Sequence, residues 1–233
     1  MSEEIKLKIW GDFACFTRPE FKVDRFTYPI MTPSAARGLL ESIFWKPEIR
    51  WEIREVWVLK PVREIVIVRN EISRRQNERP FFVEDAGQRQ QRSSVILKDV
   101  EYLVHADIHL LKRTESPKAK YLDQFTRRVE RGQFYSMPYL GLREFAAYYS
   151  FPLGGEKPVD ESLTIGQMLF DIARCESSGK KKMTFIKHYE DGSRIATGYS
   201  RSLYFPARVE RGVLKIPSEG YRRLYRMEGI DVL

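Results

Sequence analysis

Within residues 100–110 every second residue is apolar: Val100, Tyr102, Val104, Ala106, Ile108 and Leu110. A period of two marks a β-strand with one face against a core, because successive side chains point to opposite faces. Such a strand needs neighbours and a covering layer, so the rest of the chain must supply both. Ile5, Leu7 and Ile9 alternate with Lys6, Lys8 and Trp10 and predict a first strand. Thr32-Pro33 is a helix start, with Thr as N-cap and Pro at the first helical position. Ala36, Leu39, Leu40 and Ile43 make the apolar stripe of that helix, and Pro47 ends it. Residues 49–59 and 65–68 read as strands. Residues 69–94, polar and rich in Arg and Gln around Phe81-Phe82-Val83, read as a long exposed loop or an extended hairpin. A second helix follows the alternating strand, and 142–151 reads as a further strand.

The order β-α-β-(β)-β-α-β predicts an α+β fold in which residues 1–152 form a ferredoxin-like domain of the RRM type, two helices on one face of an antiparallel sheet. Gly154-Gly155, with Pro152 and Pro158, marks a composition shift. Beyond it, β-like runs at 183–187, 202–205 and 213–216 predict a small C-terminal antiparallel β-sheet domain, residues 153–233.

The formal net charge of +8 implies a polyanionic partner. No apolar run is long enough to span a bilayer, and none at the N-terminus resembles a signal peptide. Cys15 and Cys175 form no metal pattern and fit a reducing cytoplasm, the expected location. The cations concentrate in residues 112–143, which carry eight Lys or Arg against three Asp or Glu. On a helix there, Lys120, Gln124, Arg127 and Arg131 share one stripe, Leu122, Phe125 and Val129 lie opposite, and Tyr121 and Arg128 share a flank. Gly132 breaks the helix, and an aromatic loop follows. A basic stripe beside clustered tyrosines suits RNA or single-stranded DNA; an ordinary amphipathic helix with a solvated face gives the same pattern.

His105, Asp107 and His109 share the other face of the 100–110 strand, a polar face under solvent or a loop, and no further His or Cys is spaced to complete a metal site there. No metal and no cofactor are therefore expected. GxSxG, Walker-type and GxGxxG motifs are absent, and the carboxylates make no paired motif. Lys, Tyr and Arg suffice for one reaction class, RNA cleavage by its own 2′-hydroxyl, where the substrate supplies the nucleophile and the protein stabilises phosphate charge.

Four ordered blocks, IKLKIWGDFACFTRPEFK, ESIFWKP, LKDVEYLVHADIHL and YLDQFTRRVERGQ…PYLGLREF, together resemble the fifth CRISPR-associated protein family of type I-C (Dvulg) systems, the precursor-crRNA processing endoribonucleases of the RAMP superfamily. The resemblance covers most of residues 5–150. It implies a RAMP domain, cleavage of the CRISPR repeat at the 3′ base of its stem-loop, and a 2′,3′-cyclic phosphate product. It also implies retention on the crRNA 5′ handle beside the backbone and large subunits of the interference complex. The family tyrosine before Trp-Lys-Pro falls on Phe44, and the family Lys-His pair falls on Lys120 and Tyr121. Lys120 is thus expected to stabilise phosphate charge and Tyr121 to handle a proton. Phe44 is expected to stack a base, with Lys118, Gln124, Arg127, Arg128, Arg131 and Arg143 as RNA contacts. The alternatives are a non-catalytic crRNA-binding subunit and a general basic nucleic-acid-binding protein.

Overall fold

The structure, a computed structural model, describes residues 4–21, 24–72, 87, 89–112, 114–179, 182–189 and 192–230. The strands are β1 (Ile5–Ala14), β2 (Ile49–Val58), β3 (Glu64–Ile72), β4 (Arg89–Leu110), β5 (Tyr148–Ser150), β6 (Leu163–Glu176), β7 (Met183–Tyr189), β8 (Gly192–Glu210) and β9 (Val213–Lys215). The helices are α1 (Pro33–Ile43), α2 (Lys118–Glu130) and α3 (Ser218–Glu228). Among the described residues the strands make one antiparallel sheet in the order β5-β1-β4-β2-β9-β8-β6, with β3 on β4 and β7 on β8.

The alternating strand is the inner end of β4, a 22-residue strand. Its residues 97–106 pair with β1, and 102–110 with β2. Its outer end pairs with β3 from Glu64↔Leu97 to Ile72↔Arg89. The described ends of the polar stretch, 69–72 and 89–94, thus pair as antiparallel strands; the Phe81-Phe82-Val83 cluster lies outside the described residues. Where the two ends of β4 meet, Asp99 takes φ +54, and its carboxylate receives Lys60 Nζ at 2.7 Å.

Thr32 caps α1, its hydroxyl accepting from Ala35 N at 3.2 Å, and Ala36, Leu39, Leu40 and Ile43 are buried. These join Leu7, Ile9 and Val104 from the sheet and Phe125 from α2 in one core. The predicted strand 142–151 shortens to three residues, because the chain before it turns tightly under β1. Gly141 (φ +84) sits there, where a Cβ would land on Cys15 O, and Cys15 N donates to Leu140 O at 3.0 Å.

The C-terminal third holds more than the predicted strands. β6 is the main partner of β8, and α3 closes the end of the core with Tyr221, Leu224 and Tyr225 buried. β9 pairs with β2 on one side and β8 on the other. Beside it β2 carries a bulge between Ile53 and Glu55, which frees a backbone amide. Tyr221 Oη takes that amide, Ile53 N, at 2.7 Å.

The second face of β4 is not under solvent. His105 and Asp107 are 3% and 8% exposed. Trp57 stacks on His105 with ring centroids 4.6 Å apart, and β2 side chains close over Asp107 and His109.

Candidate nucleic-acid interface

α2 is sorted as its sequence dictates. Phe125 and Val129 enter the core, Lys120, Arg127 and Arg131 are exposed, and Gln124 is half-buried. Gly132, at φ +60, stops the helix. The first turn holds no acidic residue, and Lys118 and Lys120 sit where the helix dipole is positive. Lys118 escapes by ion-pairing with Asp107 of β4. Among the described residues, Lys120 finds only the Ser116 hydroxyl, at 2.9 Å. An exposed lysine at a helix start without a side-chain cap favours an anion.

Asp107 anchors a buried polar cluster that reaches across the sheet. Arg54 lies 3.5 Å from Asp107 and 3.0 Å from Glu52. Arg54 Nη2 meets His109 Nε2 at 2.8 Å, and Tyr225 Oη donates to Glu52 at 2.9 Å. Burial alone would raise the Asp107 pKa, but the hydrogen bond and charge of Lys118 more than offset it, and the carboxyl lies below its ordinary value. Burial pulls the His105 imidazole below its ordinary value, against the opposing pull of Glu4. Among the described residues no three His, Cys, Asp or Glu side chains converge to hold a metal ion; Arg54 fills the space between Glu52, Asp107 and His109.

Three expected contacts are placed elsewhere. Phe44 is 1% exposed; α1 ends there in extended backbone, which turns the ring into the core, so it has no face for a base. Tyr121 is 5% exposed on the core side of α2, a packing ring rather than a surface proton donor. Arg128 donates to Ile43 O at 2.7 Å and lies over the Phe44 ring at 5.5 Å; it fastens α2 to the end of α1. Lys118 is likewise committed to Asp107, whereas Arg143 is exposed in the turn after Gly141.

The loop after Gly132 presents what Phe44 does not. Phe134, Tyr135 and Tyr139 are 49%, 80% and 41% exposed. The loop is tethered: Tyr135 N and Ser136 N both donate to Ser42 O, at 2.8 and 3.1 Å, and Tyr149 Oη donates to Gln133 O at 3.0 Å. Exposed cations of α2 running into a tethered aromatic loop can neutralise phosphates and stack unpaired bases.

An antiparallel α+β sheet with a basic, aromatic face is a surface of the kind a nucleic acid would fit. The chain belongs to the Cas5 family of CRISPR-associated proteins: the family model Cas_Cas5d, CRISPR-associated protein (Cas_Cas5), matches residues 4–168. The CRISPR pre-crRNA endoribonuclease Cas5d of Thermus thermophilus is 50% identical over 224 residues, 96% of each chain. The protein of the same name from Mannheimia succiniciproducens is 37% identical over 93% of this chain and 96% of its own. A crystal structure of a CRISPR-associated protein shares the fold, with a TM-score of 0.63, 17% identity and 93% of each chain covered. Among the described residues no helix is long and apolar enough to cross a membrane.

Proposed function

We propose that this chain is an endoribonuclease that processes precursor crRNA. It cleaves the CRISPR repeat at the 3′ base of its stem-loop without a metal, by attack of the RNA's own 2′-hydroxyl. It then stays on the crRNA 5′ handle in a type I-C interference complex, beside the backbone and large subunits. The observation that carries this reading is the 50% identity, over 96% of both chains, to a pre-crRNA endoribonuclease. The order β5-β1-β4-β2 with α1 and α2 as crossovers supports a ferredoxin-like RAMP unit over residues 1–152, with residues 153–233 as a C-terminal unit of strands and one helix.

In the proposed reaction the 2′-oxygen bonds to phosphorus as the 5′-oxygen leaves, giving a 2′,3′-cyclic phosphate and a 5′-hydroxyl. The attacking oxygen loses its proton to a base, and the departing oxygen gains one from water. Lys120 faces the phosphate and stabilises the charge that builds on its oxygens. Arg127, Arg131 and Arg143 hold the flanking backbone. The test is cleavage of the host's own repeat RNA in excess EDTA, against a substrate with a 2′-deoxy nucleotide at the scissile position. Cleavage that persists in EDTA and stops with the deoxy substrate supports the reading; loss of cleavage in EDTA refutes metal independence.

The burial of Phe44 and Tyr121 favours a second reading, a crRNA-binding subunit without cleavage. Tight, repeat-specific binding with intact RNA recovered would select it.

A further inference from the structure

The two aromatic residues at the end of α1 part company. Phe44 turns inward, while Trp45 is 38% exposed and lines a cavity of about 570 Å³. The cavity lies between the end of α1, the start of β2, β6, β7 and α3. Ligand pockets commonly run from about 300 to 1,000 Å³, so it has room for one nucleotide but not for a duplex. His188 of β7 sits beside the indole, ring centroids 5.1 Å apart and planes at 51°. His188 Nδ1 is 2.6 Å from Ser193 Oγ on β8, which fixes the imidazole. Trp45 is thus a braced aromatic plane, not a loose surface ring.

Charge in the cavity is unevenly matched. Arg37 is spent: its guanidinium meets Asp171 at 2.7 and 2.9 Å and Glu41 at 2.7 Å. Arg50 is not. Its Nη1 donates to Ile49 O at 2.9 Å, and among the described residues no carboxylate forms an ion pair with it, Glu41 and Glu228 of the same cavity acting on it only through longer-range charge. Burial pulls its pKa below the ordinary guanidinium value, a cost that a bound anion would relieve. Arg174 adds an exposed cation on the β6 wall. An aromatic plane and an arginine without an ion pair, lining one cavity, offer a surface to a base and a fork to a phosphate. An acidic peptide would satisfy the arginine but leave the indole unused.

We propose that this cavity is a pocket for one unpaired nucleotide of the bound RNA, its base stacked on Trp45 and a phosphate oxygen held by Arg50. The pocket rests on the RNA-binding reading of the chain but is separate from the α2 face. It assigns Trp45 the stacking role that Phe44, one residue earlier, is too buried to play.

The test uses the full-length protein and two RNAs: the repeat hairpin with its single-stranded flanks, and the same hairpin trimmed to a blunt end. Trp45→Ala and Arg50→Met should each weaken binding of the flanked RNA about tenfold, as expected for one base lost from an aromatic platform, and leave the blunt RNA unchanged. Trp45→Phe should restore most of the loss, and circular dichroism melts should match wild type for both Trp45 variants. A 4-thiouridine scan of the flanks should give one position that crosslinks to the peptide holding Trp45 or Tyr189. Wild-type affinity of Trp45→Ala for the flanked RNA, with no such crosslink, overturns the pocket. If Arg127→Ala/Arg131→Ala still weakens both RNAs in that case, the α2 reading stands. A wild-type protein that binds neither RNA overturns both.

Discussion

Arg127 and Arg131 lie one turn apart on the exposed side of α2 and are tied to the fold by little. Arg131 is exposed, and Arg127 makes a solvent-exposed pair with Asp123 at 3.3 Å, of a kind worth about 0–1 kcal/mol. Replacing both with Ala, the best helix former, should leave the protein folded and act on RNA alone. Each phosphate contact on a single strand contributes about −0.7 to the slope of log K against log salt, so the pair should flatten that slope by about 1.4. Between about 50 and 200 mM KCl, wild type should then lose about sevenfold more affinity than the double variant. Asp123→Ala on its own should tighten binding slightly, because it removes the competing carboxylate. Fluorescence anisotropy titrations of labelled repeat RNA across a KCl series measure all three proteins. A double variant with the wild-type slope would refute the placement of phosphates along α2, whatever its affinity at one salt concentration.

Lys120→Ala should slow single-turnover cleavage at least about a hundredfold, the scale for loss of one charge-stabilising donor, with a much smaller change in Kd; normal cleavage would remove Lys120 from the site. Tyr121→Phe should cleave like wild type, since the ring packs in the core; a large rate loss with unchanged stability would restore the hydroxyl to the chemistry. Arg37→Met strands the buried Asp171 carboxylate and should cost about 3 kcal/mol, the low end for a broken buried pair because the guanidinium is partly exposed, or roughly 6–12 °C in Tm; urea denaturation measures it. The depressed Asp107 carboxyl contributes stability above the ordinary aspartate range, and that stability falls away as pH drops through and below about 4. Lys118→Met should remove most of this acid sensitivity, seen as a flatter plot of unfolding free energy between about pH 5 and 3.

The N-terminal strands and α1 were legible because their apolar residues keep a clean period and Thr32-Pro33 marks a helix start. α3 was not, because its buried stripe consists of Tyr221, Leu224 and Tyr225 among arginines, and tyrosine reads as polar until its hydroxyl is seen bonded to Ile53 and Glu52. β6 was hidden by its breaks at Gly166 and Asp171, where the register to β8 shifts. The polar face of β4 looks solvated in sequence; its burial depends on Glu52, Arg54, Lys118 and Tyr225, which only the fold brings together. The exposed side of α2 was legible at Lys120, Arg127 and Arg131. Tyr121 on α2 and Phe44 at the end of α1 face the core instead, and there a turn of one residue decides between surface and core. Tyr135 and Trp45 were visible as aromatics, but only the structure shows that they face outward.

β9 and Tyr221 set a timetable for synthesis. The edge of β2 and its bulged amide emerge from the ribosome long before the residues that cover them. At about 5–20 residues per second, the roughly 160 residues from β2 to α3 take on the order of ten seconds or more. For that interval the nascent chain carries an open strand edge, the kind of surface on which neighbouring chains on a polysome can pair wrongly. Chaperone dependence and yield in the cell should therefore respond to changes in residues 213–221.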